Sequence, residues 1–236
     1  MNMYLLVEGS RTEKEVYPRW LSILAPALSQ VFDPFGVVKD NFYLFSSNGY
    51  PGIKGDIHAA ALDINKAGVY DYFLICLDSD DNDVDDKRRE IEDAVYSLDL
   101  CLSAKLFVIV QCRCIETWFL GNREKFPRRT DSEFYSYSKF YNVSRYNPEF
   151  MEKPYWFSGS ASQFHSIYLK KMLAEQGKHY TKKNPYCVCS KAYVRELKKR
   201  VKNTMHLRSL KYFFDFCDIL MEKHSAGEGG TGELND

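Results

Sequence analysis

Through the first half of the chain, short uninterrupted apolar runs alternate with stretches in which apolar residues recur every three or four positions. The runs Tyr4-Leu-Leu-Val7, Asn41-Phe-Tyr-Leu-Phe45, Tyr72-Phe-Leu-Ile-Cys-Leu77 and Leu106-Phe-Val-Ile-Val110 predict four strands. Runs this short and this apolar suit strands covered on both faces. Between them, Val16, Trp20, Leu21 and Leu24 predict a helix that Pro26 ends or bends. Ser10-Arg-Thr-Glu13 has the spacing of a capping box at its start. Ile57, Ala60, Ala61 and Ile64 predict a helix over about 56–68, and Ile91, Val95 and Leu98 one from Asp86 to about Leu98. Ile115-Glu-Thr-Trp-Phe-Leu120 begins a further helix or turn. Strands alternating with helices at this spacing imply an α/β fold with a parallel sheet and right-handed crossovers.

After residue 121 the alternation stops. Residues 122–160 mix Tyr, Phe, Ser, Arg and Lys with several prolines, which reads as an irregular insertion or a small subdomain of short helices. Helical periodicity returns over about 161–176, 190–203 and 205–222. The expected organisation is a sheet domain over 1–121, an aromatic and basic helical region packed on it over 122–224, and a flexible tail over 225–236. With 45% hydrophobic and 15% aromatic residues, the 236-residue chain has the composition of a packed protein. No apolar run approaches the roughly 20 residues of a membrane span, and Glu8 interrupts the first run too early for a signal peptide. A cytoplasmic location without membrane association is the resulting expectation. Seven cysteines, an odd number, read as reduced thiols. The units Cys112/Cys114 and Cys187/Cys189 are spaced tightly for a four-thiolate zinc site.

Zero net charge conceals an asymmetry. Residues 1–122 carry 11 Lys/Arg against 19 Asp/Glu, a net of −8, and the remainder is correspondingly basic. Cations need carboxylates and a polyanionic substrate needs Lys and Arg, so the pattern suits a nucleic-acid enzyme as well as it suits two solvated surfaces. Three acidic groups stand at or just beyond the ends of apolar runs: Glu8, the pair Asp78 and Asp80, and Glu116. Ligands of open α/β sheets bind outside the carboxyl ends of the strands. Carboxylates converging there repel one another unless a divalent cation intervenes, which points to Mg2+ or Mn2+. Residues i and i+2 of a strand end share a face, so Asp78 and Asp80 could approach one ion. Glu116, among apolar neighbours, needs either a cation or Arg113 as partner. Glu13 divides between the capping box and assistance to a metal. An EF-hand fails because positions 83 and 89 are Asp and Arg, and no Gly-x4-Gly-Lys-Ser/Thr loop is present.

Glu8-Gly9 after the first strand and Asp78-x-Asp80 after the third resemble the TOPRIM domain of topoisomerases, bacterial primases, an rRNA-maturing ribonuclease and the overcoming-lysogenization-defect (OLD) nucleases. The likeness covers roughly residues 3–120. Ile115-Glu116-Thr-Trp-Phe-Leu120 and Tyr180-Thr-Lys182-Lys183 look like motifs of small standalone TOPRIM-like proteins of the RloB kind and a related group of uncharacterised domains. The resemblance implies a TOPRIM-like Rossmannoid sheet with a mostly helical, basic C-terminal region, and a metal-dependent nuclease acting on DNA or RNA in bacterial anti-phage defence. It carries the metal and catalytic roles to Glu8, Asp78, Asp80 and Glu116, and an electrostatic role to Lys182 or Lys183. No nucleophilic tyrosine of the topoisomerase kind is identifiable, and an ATPase would be a separate partner. The alternative is a regulatory or nucleic-acid-binding subunit working with that ATPase, and self-association stays open. The aromatic and basic stretch offers Arg128, Arg129, Lys139 and Arg145 as nucleic-acid-binding candidates, or equally a core or partner surface.

Overall fold

The computed structural model describes residues 1–128 and 133–228. Among them, β1 (Asn2–Val7), β2 (Ser29–Val31), β3 (Asn41–Ser46), β4 (Tyr72–Asp78) and β5 (Lys105–Gln111) form a parallel sheet in the order β2-β3-β1-β4-β5. The chain leaves β1 towards one side of the sheet and later crosses to the other through β4, so the order reverses between β1 and β4. In open α/β sheets that reversal opens the crevice where ligands bind. The four apolar runs are thus β1, β3, β4 and β5. The added edge strand β2 is three residues long, too short to register as a run, and pairs with β3 from Ser29↔Asn41 to Val31↔Tyr43.

The connecting helices are α1 (Thr12–Leu24), α2 (Ile53–Ala67), α3 (Val84–Tyr96) and the short α4 (Ile115–Phe119). The predicted capping box does not form. α1 begins at Thr12 with Arg11 at its cap and no capping side chain, which leaves Ser10 outside the cap and Glu13 turned inward. α3 starts two residues before Asp86 because Asp83 caps it, accepting from the N–H groups of Asp85 and Asp86. Beyond α4 come α5 (Phe134–Phe140), α6 (Ala161–Ala174), α7 (Lys191–Asn203) and α8 (Arg208–Glu228). α8 continues through Ser225, whose hydroxyl bonds back to the Met221 carbonyl, and so enters the span expected to be a flexible tail. Residues 229–236 of that span lie outside the described residues. No described helix is long and apolar enough to cross a membrane.

Period-two alternation sorts the central strands into two cores. Tyr4, Leu6, Phe73, Ile75, Leu77 and Val110 pack with α2 and α3 on one face. Met3, Leu5, Val7, Leu74 and Cys76 pack on the other, where their core is continuous with residues of α1, α4, α6, α7 and α8. Trp20 of α1 stacks on Trp118 of α4 and Phe214 of α8, with ring centroids 6.4 Å apart in both pairs. The helical second half therefore shares one core with the sheet. Large rings at this seam fix the angle at which α4, and Glu116 with it, meets the strand ends.

Candidate functional site

The ladder of β1 runs one bond past Val7: the Glu8 N–H donates to the Cys76 carbonyl at 3.0 Å. That bond carries Glu8 to the carboxyl edge beside β4. Its carboxylate is then held from two sides, Oε2 accepting from the Asp78 N–H at 2.9 Å and Oε1 from the Tyr50 N–H at 3.0 Å. Burial nonetheless pushes its pKa above the ordinary value. The β4 and β5 loops are laced together next to it. Ser79 N–H donates to Gln111 O at 2.9 Å, Asp80 N–H to Arg113 O at 3.0 Å, and Arg113 N–H to Ser79 Oγ at 2.9 Å. This lacing holds Asp80 at φ 50° and Arg113 at φ 62°. Asp adopts the left-handed region more readily than Arg, whose strain the surrounding bonds must offset.

Asp78 lies at the centre. Its Oδ1 is buried and has no hydrogen-bond partner among the described residues. Gln111, opposite Asp78 in the register of β4 and β5, also leaves a buried acceptor, Oε1, without a donor. Burial raises the Asp78 pKa well above the ordinary value, and the negative charges of Glu13, Glu8, Glu116 and Asp80 raise it further. Glu13 is the residue that sequence reasoning weighed and left undecided. It is buried, and its pKa is pushed up to about 7, by burial first and then by Glu116 and Glu8. Gly9 makes room for it, since a Cβ at that position would overlap the Glu13 carboxylate. The signal was in the helical pattern: Glu13 precedes Val16, Tyr17 and Trp20 by three, four and seven positions, which puts it on the buried stripe of α1.

Glu116 is 1% exposed. Of the two partners weighed for it, a cation or Arg113, the second does not form, because Arg113 reaches outward to Asp81 at 3.0 Å and Glu152 at 2.6 Å. Glu116 Oε1 accepts instead from Tyr180 Oη at 3.1 Å and Ser166 Oγ at 3.3 Å, with Lys182 Nζ at 3.9 Å. Glu116, ahead of an opposing desolvation, holds the Lys182 pKa above the ordinary value. Thr12 Oγ1 donates to the Lys182 carbonyl at 3.3 Å, tying that segment to the start of α1. Lys183 is exposed and makes no ion pair among the described residues, so of the two candidate lysines the fold brings Lys182 to the cluster. Asp80 is reached differently from the i, i+2 expectation: β4 ends at Asp78, and the exposed Asp80 accepts from Ser162 Oγ of α6 at 3.2 Å.

Five carboxylates thus influence one another at the switch point, with Lys182 beside Glu116 and Lys87 acting on Glu8. Their all-oxygen chemistry suits a hard divalent cation, and the unpartnered Asp78 Oδ1 is an acceptor such an ion could satisfy. The donors are not preassembled: among the described residues no group of three or more His, Cys, Asp or Glu is arranged to hold a metal ion. Each Glu8 oxygen receives one backbone N–H, which orients the carboxylate and leaves lone pairs on both oxygens for a cation. Of the basic candidates, Arg128 and Arg145 line a common cleft, Lys139 on α5 lies outside it, and Arg129 falls outside the described residues. Comparison with protein-family models, with curated proteins and with solved structures gives no match to this chain.

Proposed function

We propose that the chain is a Mg2+- or Mn2+-dependent nuclease that hydrolyses phosphodiester bonds in DNA or RNA. The observation that carries this reading is the convergence of Glu8, Glu13, Asp78 and Glu116 on the crevice between β1 and β4, with Asp78 half-buried and its buried Oδ1 without a partner among the described residues. So much negative charge in one partly dehydrated place is costly unless protons or a cation compensate it. Glu8, Glu13, Asp78 and Glu116 would hold the cation, with Asp80 at the open rim. A divalent cation bound there would supply Lewis-acid stabilisation of phosphate charge and lower the pKa of a bound water. Lys182, partly exposed beside Glu116, would place positive charge where a phosphate oxygen gains negative charge. Tyr180 and Ser166 keep the Glu116 carboxylate oriented by donating to it.

The test is cleavage of single- and double-stranded DNA and RNA by the purified protein with Mg2+, Mn2+ or EDTA, beside Asp78→Ala. Metal-dependent cleavage lost in the variant supports the assignment, and equal activity in both sinks it. A second reading, a subunit that acts only with a separate ATPase, draws support from the absence, among the described residues, of a group of three or more His, Cys, Asp or Glu already arranged to hold a metal ion. It expects no cleavage by the chain alone and activity once the partner is bound.

A further inference from the structure

A second charged site lies outside the carboxylate cluster and shares no residue with it. Its cleft, of about 760 Å3, brings together three separate segments: the turn at Arg123–Lys125 with Arg128, the loop at 142–145, and α7. Five cationic side chains, Arg123, Arg128, Arg145, Lys199 and Arg200, line it with two acidic ones, Glu124 and Glu196. Glu196 is already engaged, 3.7 Å from Lys199 and 3.8 Å from Arg195. Among the described residues, four guanidinium groups therefore face Glu124 alone.

Arg200 is the informative member. It is 3% exposed, yet no carboxylate among the described residues pairs with it. Its guanidinium donates only to neutral acceptors, the Gly121 carbonyl at 3.0 Å, the Tyr146 carbonyl at 2.7 Å and His206 Nδ1 at 3.0 Å. Its Nε–H is buried with no acceptor among the described residues. Burial and the nearby Arg123 push its pKa down to about 10, so it stays protonated at neutral pH. A buried cation held by neutral dipoles and repelled by a neighbouring arginine is the arrangement that an anion relieves. The three other arginines are exposed and free to close on such an anion. A single monophosphate carries about −1.5 to −2 charge and would leave part of this excess uncompensated. Consecutive phosphates match it better.

We propose that this cleft binds a run of consecutive phosphates, and that its occupant is the backbone of a nucleic acid. The inference stands apart from the metal chemistry, and its test is done in EDTA. Binding of a fluorescein-labelled 20-nucleotide single-stranded DNA and its RNA counterpart is measured by anisotropy across a salt series. Wild type is compared with Arg123→Ala/Arg145→Ala and with Lys66→Ala on the opposite side of the sheet. Both arginines are exposed, so the double variant keeps the fold, and its unchanged circular dichroism melt confirms that. With about three phosphates engaged, log K is expected to fall with log salt at a slope of about −2, since single strands give about −0.7 per contact. The double variant is expected to bind at least tenfold more weakly with a slope of about −0.7, and Lys66→Ala to match wild type. Should the oligonucleotides fail to bind while tripolyphosphate raises the wild-type melting temperature and not the variant's, the phosphate site stands and its source is a free polyphosphate. If neither probe binds, or the double variant binds both as wild type does, the proposal is overturned.

Discussion

Glu13→Gln isolates the electrostatic strain of the carboxylate cluster. Glu13 is buried, and its pKa moves from 4.5 to about 7 on folding, chiefly through desolvation with Glu116 and Glu8 adding repulsion. The folded state therefore binds this proton more tightly than the unfolded state does. Stability linked to it is fully present below pH 4.5 and is lost as pH rises through 7. At 1.36 kcal/mol per unit the loss is about 3 kcal/mol, an order-of-magnitude figure because the proton is shared across the cluster. Gln keeps the shape and an acceptor oxygen but never ionises. In EDTA at pH 8 the variant should be more stable than wild type by up to about 3 kcal/mol, roughly 6–12 °C for a chain of this size. At pH 4.5, where both side chains are neutral, the difference should vanish or reverse. Thermal melts followed by circular dichroism at pH 4.5, 6, 7 and 8 read the curve directly. A variant less stable than wild type at every pH would refute the reasoning, because it would mean that the Glu13 charge is compensated within the protein.

The other expectations concern neighbouring residues. Gly9→Ala puts a methyl group where the Glu13 carboxylate lies, so cleavage is expected to fall at least tenfold and metal-induced stabilisation to shrink, both measurable on the same preparation. Lys182→Ala should lower cleavage by about 10- to 100-fold, in the range of a lost electrostatic contributor, while Lys183→Ala stays within about threefold; equal effects would contradict the selection of Lys182. His165 is buried, and burial first pushes its pKa down to about 4, with its Nε2 2.8 Å from the Met151 carbonyl and Nδ1 2.8 Å from Thr117 Oγ1. The unfolded state binds this proton more tightly, so stability should fall by up to about 3 kcal/mol as pH drops from 6.5 to 4, and His165→Gln should flatten that slope in urea titrations.

The strand framework was open to reading because both faces of a parallel sheet are covered, which forces continuous apolar runs. β2 escaped because an edge strand of three residues needs no such run. The site was legible where a carboxylate directly follows a strand, as at Glu8 and Asp78. It was not legible where the fold turns the chain: Asp80 sits past the strand end in a left-handed conformation, so the i, i+2 strand geometry does not place it, and of the two partners open to Glu116, Arg113 looks away towards Asp81 and Glu152. Ser10-Arg-Thr-Glu13 satisfied one local rule, the capping box, while the helical stripe through Val16, Tyr17 and Trp20 followed another, and burial of Glu13 decided between them. The partners Ser162, Ser166 and Tyr180 come from segments far along the chain, as do the three segments of the arginine cleft. Tertiary packing alone brings these together.

The central claim is that the cluster around Asp78 takes up a divalent cation. Calorimetric titration of Mn2+ into the wild-type protein and Asp78→Asn at pH 7.5, in two buffers of different ionisation enthalpy, tests it most directly. Saturable binding to wild type with net proton release, absent or at least 30-fold weaker in the variant, is the expected result. Wild type that takes up no Mn2+, or a variant that binds it equally well, would contradict it.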